Sequence, residues 1–74
     1  MLDLHGYEVH NAWHVFCEHI EDCLNRGEKQ TYVITGFGMI QKELPLWCEQ
    51  NAAIRKIENP KNNLGAYHIY FFKK

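Results

Sequence analysis

The sequence predicts an α+β fold, a two-layer sandwich in which two helices cover one face of a four-stranded mixed sheet. Three observations predict it. A short apolar segment, a long amphipathic pattern and a β-branched segment follow one another at the start. A second helical pattern comes next, and two strand-like segments joined by a short turn cluster end the chain. The order βαβαββ fills all 74 residues without a linker, so we expect a single domain spanning residues 1–74.

The opening segment reads Leu-Asp-Leu-His-Gly from residue 2. Successive side chains of a strand point to opposite faces, so Leu2 and Leu4 are expected in the core and Asp3 and His5 on the other face. The glycine ends the strand and leaves His5 at its carboxyl end, where open α/β sheets usually carry their chemistry. The plain alternative is a short buried strand with a solvated Asp3.

Apolar residues recur at three- and four-residue steps between residues 9 and 26, which predicts an amphipathic helix. Gly27 is placed for a left-handed carboxyl-terminal cap, and Glu8 or Asn11 is the candidate cap at the start. The apolar positions are Val9, Ala12, Trp13, Phe16, Cys17, Ile20, Cys23 and Leu24.

A β-branched and aromatic segment, Gln30–Thr35, predicts the second strand. It ends in a Gly-Phe-Gly loop at 36–38, whose two glycines allow positive φ angles. A strand, a long helix and a strand form a right-handed βαβ unit with parallel strands. The carboxyl ends of the two strands then lie side by side, so His5 and the 36–38 loop are expected to be neighbours in space.

The second helical pattern runs from Met39 to Asn51 and is interrupted by Pro45. Inside a helix, a proline removes one backbone hydrogen bond and clashes with the carbonyl of the residue four positions earlier. The helix could kink there, but we expect a short turn followed by a helix that begins at Pro45 as its first residue.

The last two strands are predicted at Ile54–Glu58 and Gly65–Phe72, separated by a turn cluster at 59–63. The final strand is the most apolar, so it should be central, and the short loop makes it antiparallel to the strand before it. If its residues 67, 69 and 71 pack on the helices, His68 and Tyr70 lie on the open face. That face would suit RNA or a dimer interface.

Composition limits the functional classes. The net charge is −1, which argues against a protein held on nucleic acid by bulk electrostatics, because each neutralised phosphate needs a lysine or an arginine. The three cysteines, Cys17, Cys23 and Cys48, form no C-x-x-C pair and are interpreted as reduced, small hydrophobic residues. No apolar run approaches the roughly 20 residues of a membrane span. We therefore expect a cytoplasmic protein that does not enter a membrane.

Three motifs together resemble the Smr domain, the small MutS-related module. The first is the intact Leu-Asp-Leu-His-Gly at 2–6. The second is a [T/H]-G-[K/R]-G loop followed by a helix with V/L-P-x-W, here Thr-Gly-Phe-Gly at 35–38 and Leu-Pro-Leu-Trp at 44–47. The third is a glycine-rich turn before the last strand, here reduced to Leu-Gly-Ala at 64–66.

The resemblance implies a fold like the carboxyl-terminal domain of translation initiation factor 3, with strand order 1-2-4-3. It also implies an endonuclease that acts on RNA or DNA, without a bound metal or other cofactor. RNA or DNA, including RNA on a ribosome, is then the expected partner, and the protein is expected to be a monomer or a weak homodimer. A rival from another class is a non-catalytic adaptor that binds RNA, a ribosome or a protein.

The candidate catalytic residues are His5, as general acid or base, and Asp3, which could orient the imidazole or stabilise its cation. Phe37 stands where the family pattern has a lysine or an arginine, and it is expected either to be buried or to stack on a base. Lys42 could contact a phosphate. The full nucleic-acid-binding set is Thr35, Gly36, Phe37, Gly38, Lys42, Gly65 and His68.

The first helix also contains a spacing that would suit a metal site. His10, His14 and Glu18 recur at four-residue steps on one helix face, which is a spacing that metal ligands use. An exposed polar stripe is the plain alternative, and we expect no metal at these residues.

Overall fold

The computed structural model describes residues 1–61 and 63–72, and within them the predicted order βαβαββ is confirmed. One residue of the predicted turn cluster, Asn62, lies outside the described residues. The elements are β1 (Leu2–Asp3), α1 (Val9–Asn25), β2 (Gln30–Ile34), α2 (Met39–Glu49), β3 (Ile54–Glu58) and β4 (Ala66–Phe71).

The strands form one mixed sheet in the order β1-β2-β4-β3. β1 runs parallel to β2, whereas β4 runs antiparallel to both of its neighbours. The predicted central, antiparallel position of the last strand is therefore confirmed. The inward residues of β4, Tyr67, Ile69 and Phe71, are buried in one core with Phe16 and Leu44 of the helices. The opposite face of the sheet is left open.

The core stripe of α1 is narrower than the sequence predicts. Ala12, Phe16, Ile20 and Cys23 are buried, but Trp13 is 41% exposed and Cys17 is exposed as well. The buried positions follow one another at steps of four and three, and the two exposed ones each come one residue later, about 100° around the helix. The prediction that all eight apolar positions share the buried face is wrong at these two.

The three cysteines are free, and two of them behave as small hydrophobic residues. Cys23 and Cys48 are buried, and burial raises the pKa of the Cys48 thiol to about 12. A thiol held neutral in this way is a poor nucleophile. Cys17, by contrast, is exposed.

Of the two caps predicted for α1, the carboxyl-terminal one is confirmed. Gly27 has a φ of 72°, and its N–H donates to the carbonyl of Leu24 (3.1 Å), which confirms the left-handed carboxyl-terminal cap. At the start, Glu8 precedes the helix but makes no side-chain capping hydrogen bond. The packing of the buried residues therefore contributes more to the stability of this helix than capping of its first turn does.

Pro45 lies inside α2, so the prediction that the helix begins at Pro45 is wrong. The proline has no N–H to donate to the carbonyl of Gln41, four residues earlier. The hydroxyl of Tyr67 on β4 donates to that carbonyl instead, at 3.0 Å. A side chain 26 residues beyond Gln41 thus supplies the hydrogen bond that the helix cannot make, and this contact lets the proline remain in the helix.

Tyr67→Phe is expected to lower the free energy of unfolding by about 1–2 kcal/mol, because it leaves the Gln41 carbonyl without its donor. In a Pro45→Ala background the alanine supplies the missing N–H, so the same change should cost less. Urea denaturation of the four proteins of this double-mutant cycle measures the coupling. Equal losses in both backgrounds would show that the hydroxyl does not compensate for the proline.

His19 is half-buried between α1 and β2. Its Nε2 lies 2.7 Å from Oγ1 of Thr31 and 3.6 Å from Sγ of Cys23. Burial disfavours the charged imidazolium and lowers the pKa of His19 from its ordinary value of 6.5. The side chain is therefore neutral in the folded protein near pH 7.

This shift makes the stability depend on pH. Below pH 6.5 the unfolded chain binds a proton at His19 more readily than the folded chain does. The contribution of His19 to the free energy of unfolding is therefore fully present above that pH and is lost as the pH falls towards the folded-state pKa. His19→Gln keeps a polar partner for Thr31 but does not titrate. Urea denaturation between pH 5 and pH 8 should therefore show a steeper acid-side loss for the wild type than for His19→Gln. Parallel curves would contradict this assignment.

Among the described residues, no helix combines the length and the apolar character needed to cross a bilayer.

Candidate functional site

The carboxyl ends of β1 and β2 and the amino ends of both helices meet at one edge of the sheet. Leu4 is fully buried, and its N–H donates to the carbonyl of Ile34 at 2.7 Å. A turn follows, in which the N–H of Tyr7 donates to the carbonyl of Leu4 (3.1 Å) and Gly6 has a φ of 87°. The buried leucine thus anchors a turn that displays the exposed His5 at this edge.

Asp3 holds the backbone of His5. Its Oδ1 accepts a hydrogen bond from the backbone N–H of His5 at 2.9 Å. The sequence suggested that this carboxylate orients the imidazole, but in the structure it bonds the peptide that carries the ring. The contact fixes the position from which the His5 side chain projects.

His5 and the 36–38 loop are neighbours, as the right-handed crossover predicts. A methyl group placed on Gly36 would lie 3.0 Å from Cδ2 of the His5 ring, so the ring packs against the glycine. Gly36 also has a φ of 71°, a conformation that side chains with a Cβ rarely adopt. Two constraints therefore require glycine here. Gly38 has a φ of 162°, which is extended backbone, so the expected positive φ is confirmed only at Gly36.

The carbonyl of Gly65 ties the 36–38 loop to the turn before β4. It accepts hydrogen bonds from the backbone N–H groups of Thr35 (2.8 Å) and Gly36 (2.9 Å), and from Oγ1 of Thr35 (3.1 Å). Thr35 is 5% exposed. Two of the residues predicted to bind nucleic acid, Thr35 and Gly65, thus hold the loop in its conformation by hydrogen bonds to each other.

Phe37 lies at the surface of the site. Its side chain is 78% exposed, so burial, one of the two sequence alternatives, does not apply. A methyl group on Gly65 would lie 3.1 Å from Cε2 of Phe37, which shows that the ring lies against this glycine. Met39 and Leu64, close to Phe37 and Gly65 in the chain, are exposed as well.

The amino end of α2 completes the site. The helix begins directly after Gly38, and no side chain caps its first turn. Its first N–H groups and its dipole favour an anion at this position. Lys42 is exposed one turn into the helix, so it can approach the same anion.

Sequence reasoning missed two residues that hold the turn before β4. Oδ1 of Asn63 accepts a hydrogen bond from the N–H of Gly65 at 2.9 Å, and Nε2 of Gln41 donates to the carbonyl of Leu64 at 2.6 Å. The available signal for Asn63 was an asparagine two residues before a glycine, which is typical of an Asx turn. Gln41 had no such signal, because its partner comes from a distant loop.

Two other groups lie apart from this site. His68 is on the open face of the sheet, paired with Tyr32 and Glu58 in the strand register. On α1, the rings of His10 and His14 meet edge to face at 4.7 Å between centroids. Throughout residues 1–61 and 63–72, no three or more His, Cys, Asp or Glu side chains lie close enough to hold a metal ion.

The comparisons with known proteins agree with this fold. Residues 2–70 match the family model of the Smr domain. The crystal structure of the Smr domain of Thermus thermophilus MutS2 has the same fold, with a TM-score of 0.89 over 95% of this chain and 94% of that chain, at 13% sequence identity. No curated protein matches the sequence. Because the family model spans nearly the whole chain, the protein belongs to the Smr domain family, a family of nucleic-acid-binding and nuclease-associated domains.

Proposed function

We propose that this Smr domain is an endonuclease that cleaves RNA or DNA, with His5 as the general acid or base. The observation that carries the proposal is the exposed His5 ring packed against Gly36, at the edge where α2 begins. Asp3 is the positioning residue, since its carboxylate holds the His5 peptide. A histidine suits this role because it can be neutral or protonated near pH 7.

On RNA, His5 takes the proton of the 2′-hydroxyl. The 2′-oxygen then forms a bond to the neighbouring phosphorus, and the bond from phosphorus to the 5′-oxygen of the next nucleotide breaks. The leaving oxygen receives a proton from water, and the products carry a 2′,3′-cyclic phosphate and a 5′-hydroxyl. DNA has no 2′-hydroxyl, so there His5 would deprotonate a water molecule instead.

The 36–38 loop and the start of α2 hold the phosphate in this proposal. The backbone N–H groups of the first turn of α2 point towards a bound anion, and the charge increase in the transition state strengthens their contacts. Lys42 adds a cation, and the exposed ring of Phe37 stacks on a neighbouring base.

The test is a cleavage assay on a labelled single-stranded RNA, on the matching DNA, and on a supercoiled DNA circle. Cleavage of RNA with 2′,3′-cyclic phosphate ends, blocked by a single 2′-deoxy substitution at the cut, is the expected result for the RNA route. Nicking of the circle supports the DNA route. If purified protein cleaves none of the three substrates, the endonuclease proposal is wrong.

A second candidate is a non-catalytic adaptor that binds through the same edge. Two observations favour it: Phe37 replaces the cation of the family pattern, and the chain carries a net charge of −1. The adaptor would bind without cleaving. A salt titration separates the classes of partner, because binding to nucleic acid weakens steeply with salt and binding to an apolar protein surface does not.

A further inference from the structure

The open face of the sheet carries a cluster of aromatic and basic side chains away from the His5 edge. We call Tyr32, His68, Tyr70, Arg55 and Lys56 the open-face platform. In the strand register, His68 pairs with Tyr32 on one side, and Tyr70 pairs with Lys56 on the other. The platform thus spans the three strands β2, β4 and β3.

The rings of the platform are arranged in a column. His68 and Tyr70 stack with their centroids 4.4 Å apart and an angle of 20° between their planes. Tyr32 approaches His68 at 6.1 Å. Hydrogen bonds hold this column: Oε1 of Gln30 lies 2.7 Å from Nε2 of His68, and the Tyr70 hydroxyl donates to Glu58 at 2.7 Å. The column is therefore ordered before any ligand binds.

Two cations lie over Tyr70. Nζ of Lys56 is 4.8 Å and Cζ of Arg55 is 5.8 Å from the centre of the ring. Consecutive strand residues normally point to opposite faces, but a register shift between Ile54 and Lys56 brings both side chains to Tyr70. Within residues 1–61 and 63–72, the one ion pair joins Arg26 and Glu28, so neither of these two cations is held in an ion pair. Glu58 lies nearby: the hydrogen bond from Tyr70 and the charge of Lys56 both lower the pKa of its carboxyl.

Beyond Tyr70 the platform opens into a cleft with a volume of about 710 Å³, a size typical of small-ligand sites. Its lining joins the platform residues Arg55 and Tyr70 to Lys29 and to the exposed ring of Phe72. The cleft therefore offers aromatic surface beside the side chains of Lys29 and Arg55. Its lining also includes Glu28, whose carboxylate is paired with Arg26 at 2.9 Å.

We propose that the open-face platform binds an unpaired segment of RNA or DNA, with a base stacked on Tyr70 and the flanking phosphates bound by Arg55 and Lys56. The inference deepens the proposed function by naming its substrate class, a single strand, and relies on that function only for the ligand being nucleic acid. A base displaces the cations from the ring because base stacking on an aromatic ring outweighs an exposed cation–π contact. The displaced cations move to the phosphates. A duplex cannot bind in this way, since its base faces are stacked within the helix.

The test measures dissociation constants by fluorescence anisotropy for a labelled 12-nucleotide oligo(U), the matching oligo(dT) and a 12-base-pair duplex. All proteins carry His5→Ala, so that cleavage cannot affect the result. Tyr70→Ala should weaken binding of the single strands about tenfold, whereas Tyr70→Phe, which keeps the ring, should bind within about twofold of its parent. Binding of the duplex should be weaker than that of either single strand. The ratio of the oligo(U) and oligo(dT) constants shows which sugar the platform prefers.

The two cations give a second, independent readout. The double variant Arg55→Gln/Lys56→Gln should lower the slope of log Kd against log salt by about 1.4, because each phosphate contact on a single strand contributes about 0.7. Tyr70→Ala should leave the slope unchanged. Trp13→Ala, an exposed aromatic on α1, is the matched control for the ring, and Arg26→Gln is the control for charge.

Circular dichroism confirms that each variant is folded. If Tyr70→Ala binds the single strands as well as its parent, or if the parent binds the duplex equally well or binds no single strand, the open-face proposal is wrong. The cleavage assay is decided separately with the native His5 protein. If Tyr70→Ala loses binding and the native protein cleaves nothing, the open-face proposal is supported and the endonuclease proposal is wrong. If the native protein cleaves and its platform variants bind normally, the endonuclease proposal is supported and the open-face proposal is wrong.

Discussion

Replacing His5 by alanine is expected to reduce the rate of RNA or DNA cleavage about 100- to 10,000-fold, the usual contribution of a general acid or base. The side chain is exposed and the peptide that carries it is held by Asp3, so its removal should leave the fold intact. The measurement is the single-turnover rate on the best substrate of the cleavage assay, with circular dichroism as the check on folding.

His14→Ala is the matched control for this prediction, because His14 is also exposed but lies in the second turn of α1, outside the His5 turn. It should cleave at the wild-type rate. If His5→Ala cleaves as fast as His14→Ala, His5 has no part in the reaction, even if the domain proves to be a nuclease.

Phe16→Ala is expected to lower the free energy of unfolding by about 3–5 kcal/mol, the usual cost of truncating a buried aromatic side chain. Phe16 is 2% exposed, and its ring packs against Trp47 of α2 with 5.6 Å between centroids. A chain of this length has a total stability of roughly 4–11 kcal/mol. The loss is therefore a large share of the total stability, and urea denaturation at 10 °C and 37 °C, followed by circular dichroism, measures it.

Cys17→Ala, at the next position of the same helix, is the control for this prediction. Its side chain is exposed, so the substitution should change the stability by less than about 0.5 kcal/mol. Phe16→Leu should give an intermediate loss if Phe16→Ala does not fold. A loss below about 1 kcal/mol in Phe16→Ala would contradict the central place of this ring in the core.

The local signals explain which parts of the fold were predictable. The period of the apolar residues defined α1, and the β-branched segments defined β2 and β4, because these patterns depend on residues close together in the chain. The βαβ unit pairs β1 parallel to β2, and this pairing brought His5 next to the 36–38 loop, since the carboxyl ends of neighbouring parallel strands lie at the same edge of a sheet. That one rule accounts for the contact between His5 and Gly36.

Pro45 shows where local reasoning ends. Propensity alone predicts that a proline begins a helix, and the structure places it inside α2 because Tyr67 supplies the hydrogen bond that the helix lacks. The partner comes from another layer of the fold, so no window of sequence around the proline contains it. The same reason explains why periodicity alone predicts Trp13 and Cys17 on the buried face, since the width of that face depends on which surfaces pack against α1.

By itself, the sequence determined the order of the elements, the central position of β4 and the meeting of His5 with the glycine loop. Periodicity, β-propensity, the apolar character of the last strand and the parallel pairing of a βαβ unit are sufficient for these features. Only the tertiary structure decided that Asp3 accepts a hydrogen bond from the His5 backbone N–H and that the hydroxyl of Thr35 donates to the Gly65 carbonyl. It also decided that Arg55 and Lys56 both lie over Tyr70. Each of these depends on side-chain direction or on a register shift between strands, and neither is encoded in the spacing of residues along the chain.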